Sequence, residues 1–354
     1  MKYLPILRFR TVEIDLLKNE IPNKDVIPLL EIVNEDKFKD NVSEVNQRFD
    51  EVMVELPIYL LEYANKYRSP IIEIINNNKV EDKSEQSSFY IIHKEEIKIP
   101  VISSSPKDTD YNKLQIIFEE LKKEFKKIAI KIIVPETTLS QDMKINLGIL
   151  LSLLREEDIL LFYVNRLNGY EQTVNHNIEG IKSLLKEKNI SNRKYILNCF
   201  EVVSSSFDIH NYNPIMTNRY SFDGFGDYAT GYKLESEGGG AWITKIIKYY
   251  DYKDFELRMF SGNSFSEAVD NLKKSGTWTT IKSDKHLDYC NVCEEVENNK
   301  WKDNPIYWKR FRILHYILSI LNHTFKAIED ASTPEDLDME GYQDLFKKEE
   351  NDTD

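Results

Sequence analysis

Along the 354-residue chain, short runs of apolar residues alternate with longer stretches in which apolar side chains recur every three or four positions. The apolar runs are Lys2–Arg8, Val26–Val33 (broken only by Glu31), Glu51–Leu56, Lys98–Ser103, Ile128–Val134, Ile159–Asn165, Lys194–Val203 and Trp242–Tyr249. The stretches with helical spacing are Val42–Asp50, Leu60–Tyr67, Tyr111–Lys127, Ser140–Glu156 and Asn177–Lys188, with a further helical start at Arg10–Leu17. Runs that are apolar on both faces fit strands buried on both sides, and the amphipathic stretches between them fit helices covering a parallel sheet. About eight such units predict an α/β fold closed into a (β/α)8 TIM-barrel-like barrel; an open doubly wound sheet is the alternative that the same pattern allows. The segment Ile71–Glu96, which contains a polar stretch, does not fit the repeat and reads as an insertion or excursion.

Beyond the eighth run the pattern changes. Asp254–Lys274 reads as amphipathic helix. Ile306–Ile328 reads as a long helix on the outside or bottom of the barrel, with Asn304 as its cap and Pro305 in its first turn. Ala331–Asp354 carries nine acidic and two basic residues. Thr333 and Pro334 suit another helix start, so that the acidic tail could hold a short helix near Leu337–Phe346. The expected organisation is a barrel over residues 1–275, a helical extension over 276–330 packed on it, and the tail over 331–354.

Charge and composition narrow the functional classes. A formal net charge of −13 argues against general nucleic-acid binding, which needs a basic face to neutralise phosphates. The start of the chain lacks the apolar core of a signal peptide, and no stretch is apolar and long enough for a spanning helix. Three cysteines do not form a disulfide framework. A cytoplasmic protein without membrane contact is expected.

Tyr3-Leu4-Pro5-Ile6-Leu7-Arg8, the nearby Arg10 and Glu13, Ile27-Pro28-Leu29-Leu30-Glu31 and the later Phe225-Gly226-Asp227-Tyr228 resemble motifs of the beta protein family, named from a bacteriophage protein and scattered through bacterial genomes. The resemblance would span roughly residues 1–320 and places Phe225–Tyr228 between the last two strands. It implies a barrel-like fold and a setting near mobile elements and antiphage systems, with no established reaction. The chain departs from the pattern at Glu55, where the family has Asp, and at Asn165, where an acid is common.

Side chains at the C-terminal ends of barrel strands surround the functional mouth. Arg8 and Arg10 share parity with Leu4 and Ile6, and Glu31 shares parity with Ile27 and Leu29, so Arg8 and Glu31 could meet inside the barrel. Glu31, Glu55 and Asp227 are the candidate catalytic groups. Arg8, Arg10, Lys131, Asn165, Tyr228 and Lys245 are the candidate ligand-binding groups, with Ser103 beside them. Buried charges need partners, so these residues form either a salt-bridge layer closing the barrel or a site for an anionic or sugar-like ligand. Glu31 and Glu55 could serve as acid and base or hold a divalent metal, and the residues leave the cofactor unknown.

The Gly-rich stretch Asp223–Ala241 could cradle phosphate or act as a lid or turn. Ser204 and Ser205, with His210 nearby, read more simply as a polar loop than as a nucleophile. His286, Cys290 and Cys293 could supply three zinc ligands, but no fourth is evident, and two unrelated thiols is the plainer reading. Cys199, His315 and His323 read as core or boundary residues. The functional expectation is a barrel component of a bacterial or phage-associated defence system that binds a ligand or protein partner, such as a neighbouring-gene product, at its mouth. The alternatives are a hydrolase of a phosphorylated or nucleotide-like substrate, and an assembly scaffold.

Overall fold

A computed structural model of the chain describes residues 1–32, 38–56, 83–104, 111–165, 167, 169–202, 208–229, 245–283, 286–288 and 290–337. Eight parallel strands close into a barrel. In chain order they are β1 (Lys2–Arg8), β2 (Leu29–Glu31), β3 (Met53–Glu55), β4 (Ile99–Ser104), β5 (Ala129–Val134), β6 (Ile159–Val164), β7 (Arg193–Leu197) and, after two strands outside the barrel, β10 (Gly224–Tyr228), which pairs with both β7 and β1. Helices α1 (Thr11–Asn19), α2 (Phe38–Arg48), α3 (Lys83–Ile92), α4 (Tyr111–Glu124), α5 (Gln141–Ser152), α6 (Glu171–Glu187) and α7 (Asn213–Tyr220) alternate with the strands. The chain therefore has a (β/α)8 fold, as its alternating pattern predicts.

Along each strand the period of two sends one set of side chains inward and the other toward the helices. Leu4, Ile6, Leu29, Met53, Val101 and Leu161 belong to the interior core, whereas Tyr3, Leu7, Leu30, Val54 and Ile102 belong to the larger outer one. All of these are buried. That distribution is why the strands read as unbroken apolar runs.

The eighth barrel strand differs from the expected one. The described part of the expected run Trp242–Tyr249, residues 245–249, does not close the barrel. The two strands outside it, β8 (Phe200–Val202) and β9 (Ile209–Asn211), join β11 (Lys245–Asp251) and β12 (Glu256–Gly262) in a separate antiparallel sheet of order β11-β12-β9-β8. The closing strand is Gly224–Tyr228, so Phe225–Tyr228 is itself a strand and not a link between two. Glycine is required there. A Cβ at Gly224 would overlap the Lys2 carbonyl, and one at Gly226 would lie 2.7 Å from Leu4 Cβ and 2.8 Å from Leu197 Cδ2. Neither approach leaves space for a side chain.

Two further segments depart from expectation. Lys194–Val203 is two strands, because Asn198 turns into the left-handed region (φ 61°) and diverts the chain from the barrel to the second sheet. Asp254–Lys274 is not continuous helix: it holds β12 before α8 (Phe265–Lys274), whose N-cap Ser264 accepts from the Glu267 N–H at 3.2 Å. The proposed insertion holds a helix of the repeat itself, since Lys83–Ile92 is α3 between β3 and β4; its residues 71–82, Leu60–Tyr67 and residues 338–354 of the tail lie outside the described residues.

The remaining elements are α9 (Gly276–Ser283), α10 (Asn291–Glu297), α11 (Pro305–Ser319) and α12 (Phe325–Asp330). Asn304 caps α11 by accepting from the Tyr307 N–H at 2.8 Å, with Pro305 in the first turn. A π-helical stretch, Ile320–Thr324, joins α11 to α12. Tyr316 of α11 packs on Tyr3 of β1 (ring centroids 6.4 Å apart) and Phe325 of α12 on Phe225 of β10 (5.9 Å). These late helices thus cover the outer face where the barrel closes. Among the described residues no helix is long and apolar enough to cross a membrane.

Candidate functional site

The two ends of the barrel are built differently. At the N-terminal end, Glu51 accepts a bidentate pair from Arg193 (2.7 Å to each oxygen) and is also paired with Lys127. Burial opposes ionisation of Glu51, but the two cations outweigh it and hold the carboxyl down to about 2. Three strands are tied there by one carboxylate, the stabilising end of such a barrel.

At the C-terminal end the inward side chains form a polar layer. The parallel register sets Arg8 beside Glu31 and Glu31 beside Glu55, while Ser103 lies beside Lys131. Lys131 Nζ donates to Glu55 Oε2 at 2.6 Å and Ser103 Oγ donates to Glu55 Oε1 at 2.7 Å. Lys131 also sits over the Tyr163 ring, 5.0 Å from its centre. Tyr228 Oη donates to Glu31 Oε1 at 2.6 Å, and Arg8 Nε lies 4.0 Å from Glu31 Oε2. Glu31, Glu55 and Lys131 are at most 2% exposed and Arg8 is 9% exposed. Arg8 and Glu31 thus meet inside the barrel, as their parity predicts, and Tyr228 joins them. Arg8 Nε and Nη2 are buried and make no hydrogen bond among the described residues.

Other candidates lie elsewhere. Asp227 is not at the mouth. It shares the outward face of β10 with Phe225, where it accepts from Tyr3 Oη at 2.7 Å, Tyr316 Oη at 2.8 Å, and Asn213 and Asn211 at 3.2 and 3.4 Å. It is fully buried. Burial pushes its carboxyl up to about 7, against the pull of those four donors. Asp227 thus joins the barrel wall to α11 and the second sheet.

Lys245 begins β11, opposite Gly262, with its ammonium 5.8 Å from the Phe265 ring centre, and so is not on a barrel strand. Arg10 is the residue preceding α1, since β1 ends at Arg8. Asn165 follows β6 and donates weakly to Glu136 at 3.4 Å. Ser204, Ser205 and Gly238–Gly240 lie outside the described residues. His210 stands on β9 against the Tyr212 ring.

A second cluster gathers outside the barrel. His286, Cys290, Cys293 and His315 are all buried, and one possible ligand atom from each lies within 4.8 Å of every other. Sequence reasoning found the first three and missed His315, which it assigned to the core of the long helix. A Cys-x2-Cys pair followed by a helix carrying histidine was the available signal. Burial lowers the pKa of His315 to about 4, keeping its ring neutral.

Compared with known protein families, the chain matches none, and no curated protein matches it. The resemblance to the beta protein family rests on the short motifs quoted above.

Proposed function

We propose that this barrel binds an anionic ligand, carrying a carboxylate or phosphate, through Arg8 at its C-terminal mouth. The observation that carries the reading is the Arg8 guanidinium, whose Nε and Nη2 are buried without hydrogen bonds among the described residues. Desolvated donors are costly when unmade, and a planar guanidinium matches the two oxygens of such a ligand. Tyr228 positions Glu31, and the Lys131–Glu55 pair supports the layer from neighbouring strands. The setting implied by the resemblance, a bacterial or phage-associated defence system with the barrel as its recognition component, belongs to this proposal. A hydrolase of a phosphorylated or nucleotide-like substrate is the second reading, favoured by the side-by-side register of Glu31 and Glu55.

Calorimetric titration of the full chain with inorganic phosphate, nucleotides and small dicarboxylates tests it. Arg8→Gln is expected to weaken the best binder about tenfold or more, the worth of a charge-assisted hydrogen bond. Affinity unchanged in Arg8→Gln, with the variant folded, would sink the assignment. Turnover of the bound compound that Glu31→Gln abolishes would favour the hydrolase.

A further inference from the structure

We propose that His286, Cys290, Cys293 and His315 bind one structural zinc ion that fastens the C-terminal helices to the antiparallel sheet. The chemistry of the set is the first argument. Two thiols and two imidazoles form the donor set of a closed tetrahedral zinc site. All four residues have zero exposure, so none faces water that could satisfy its donor atoms.

The geometry fits one ion. His286 Nε2 lies 3.1 Å from His315 Nδ1, the two sulfurs are 3.1 Å apart, and His315 Nδ1 lies 3.3 Å from Cys293 Sγ and 3.9 Å from Cys290 Sγ. Zinc bonds of about 2.3 Å to sulfur and about 2.0 Å to nitrogen put tetrahedral donors about 3.3–3.8 Å from one another. The cluster is already near that size. A two-iron cluster would hold the histidine and cysteine pairs on separate irons, further apart than a group of atoms all within 4.8 Å. Hard cations such as calcium would need oxygen ligands.

The imidazoles supply an independent observation. A zinc-bound histidine donates through its other ring nitrogen to a partner that fixes the ring. His315 Nε2 lies 2.9 Å from the Tyr250 carbonyl oxygen, which can only accept, so Nε2 carries the proton and the Nδ1 lone pair is turned into the cluster. His286 Nδ1 lies 3.2 Å from His323 Nε2. With Nδ1 as donor there, the Nε2 lone pair of His286 also faces the cluster. Stacked rings flank both imidazoles: the Tyr249 ring centre lies 4.0 Å from that of His315, and the Tyr252 ring centre 5.5 Å from that of His286 and 3.7 Å from that of His323. His323 sits in the π-helical stretch, a local widening that recurs at functional sites.

Binding balances charge as well as geometry. Each cysteine releases its thiol proton to solvent, and the two thiolates neutralise the divalent ion, so the filled site buries no net charge. Every coordination position is taken by protein, which makes the ion structural and leaves no place for a substrate or water. It would link the short helical turn at His286–Asp288, the start of α10 and the middle of α11, while the Tyr250 carbonyl ties the site to β11.

Elemental analysis of the full chain, purified without chelator, tests the proposal alongside a count of reactive thiols. The expected result is one zinc per chain, released when a mercurial caps the cysteines, with a lower melting temperature once it is removed. Cobalt added to the stripped protein should give the strong visible bands of a tetrahedral thiolate site. Cys290→Ser and Cys293→Ser should lose the zinc, whereas Cys199→Ser, which alters a cysteine outside the cluster, should keep it. Folded native protein that carries no zinc and takes up no cobalt overturns the proposal, independently of how the variants fold. So does a Cys290–Cys293 disulfide in that protein, or full zinc in folded Cys293→Ser.

Discussion

Lys131→Met is expected to destabilise the barrel by about 3–5 kcal/mol, the cost of leaving one member of a buried ion pair without its partner. Lys131 and Glu55 are both nearly inaccessible, and their pairing joins β5 to β3 across the interior. Without the ammonium, Glu55 keeps only the Ser103 hydroxyl among the contacts described above, too little for a carboxylate removed from water. The double variant Glu55→Gln with Lys131→Met removes both charges, retains an acceptor for Ser103, and should recover most of the loss, since buried pairs are often replaceable by neutral groups at little net cost. Urea denaturation of the wild type, Lys131→Met, Glu55→Gln alone and the double variant completes the cycle. A single Lys131→Met variant within about 1 kcal/mol of wild type would mean that water reaches Glu55 and that the layer is not sealed.

The second large effect is a pH dependence carried by Asp227. Its carboxyl titrates near 7 in the folded chain, against an ordinary 3.8. Between these values the folded state holds a proton that the unfolded state has released. Stability therefore falls as pH rises. The contribution is complete below about pH 4 and is lost as pH passes through 7, and three units correspond to about 4 kcal/mol. Glu51, held near 2, acts with the opposite sign in a separate window: its contribution is present above its ordinary 4.5 and is lost as pH falls toward 2. Acid also strips a thiolate-bound metal, so the informative quantity is the difference between wild type and Asp227→Asn at each pH, in which that loss cancels. The difference should change by about 4 kcal/mol between pH 4 and pH 8. A flat difference would show that the four donors already keep Asp227 ionised throughout. Tyr316→Phe, which removes one of those donors, should move the transition to higher pH.

What the sequence disclosed follows from how strongly each signal is tied to burial. The first seven barrel strands are apolar on both faces because both are covered, and that produces visible runs. Gly224–Tyr228 does not look like such a run: two of its five residues are the glycines demanded by the close approach of β1, and one is Asp227, whose carboxyl finds its hydrogen-bond partners outside the wall. Trp242–Tyr249 took its place because a strand in a covered antiparallel sheet has the same local composition. Parity then carried the consequences. It placed Arg8 and Glu31 inside because β1 and β2 were correctly located. It could not place Asp227 outside while its strand went unrecognised. His315 was hidden for a different reason: a histidine on a long apolar helix reads as core, and only the fold brings it to Cys290 and Cys293, more than twenty positions earlier.

The covering of the closing seam by α11 and α12 has a consequence for synthesis. The first barrel strand to leave the ribosome, β1, pairs with β10 more than two hundred residues later, and its outward Tyr3 finds Tyr316 later still. Since chains emerge from the N-terminus, a nascent chain that has already made seven barrel strands still exposes an unpaired edge and the bare apolar back of β1. Such an edge invites pairing with other chains. The long sequence separation also makes closure a slow, late event. The nascent barrel would be a natural client for chaperones until its last helices emerge.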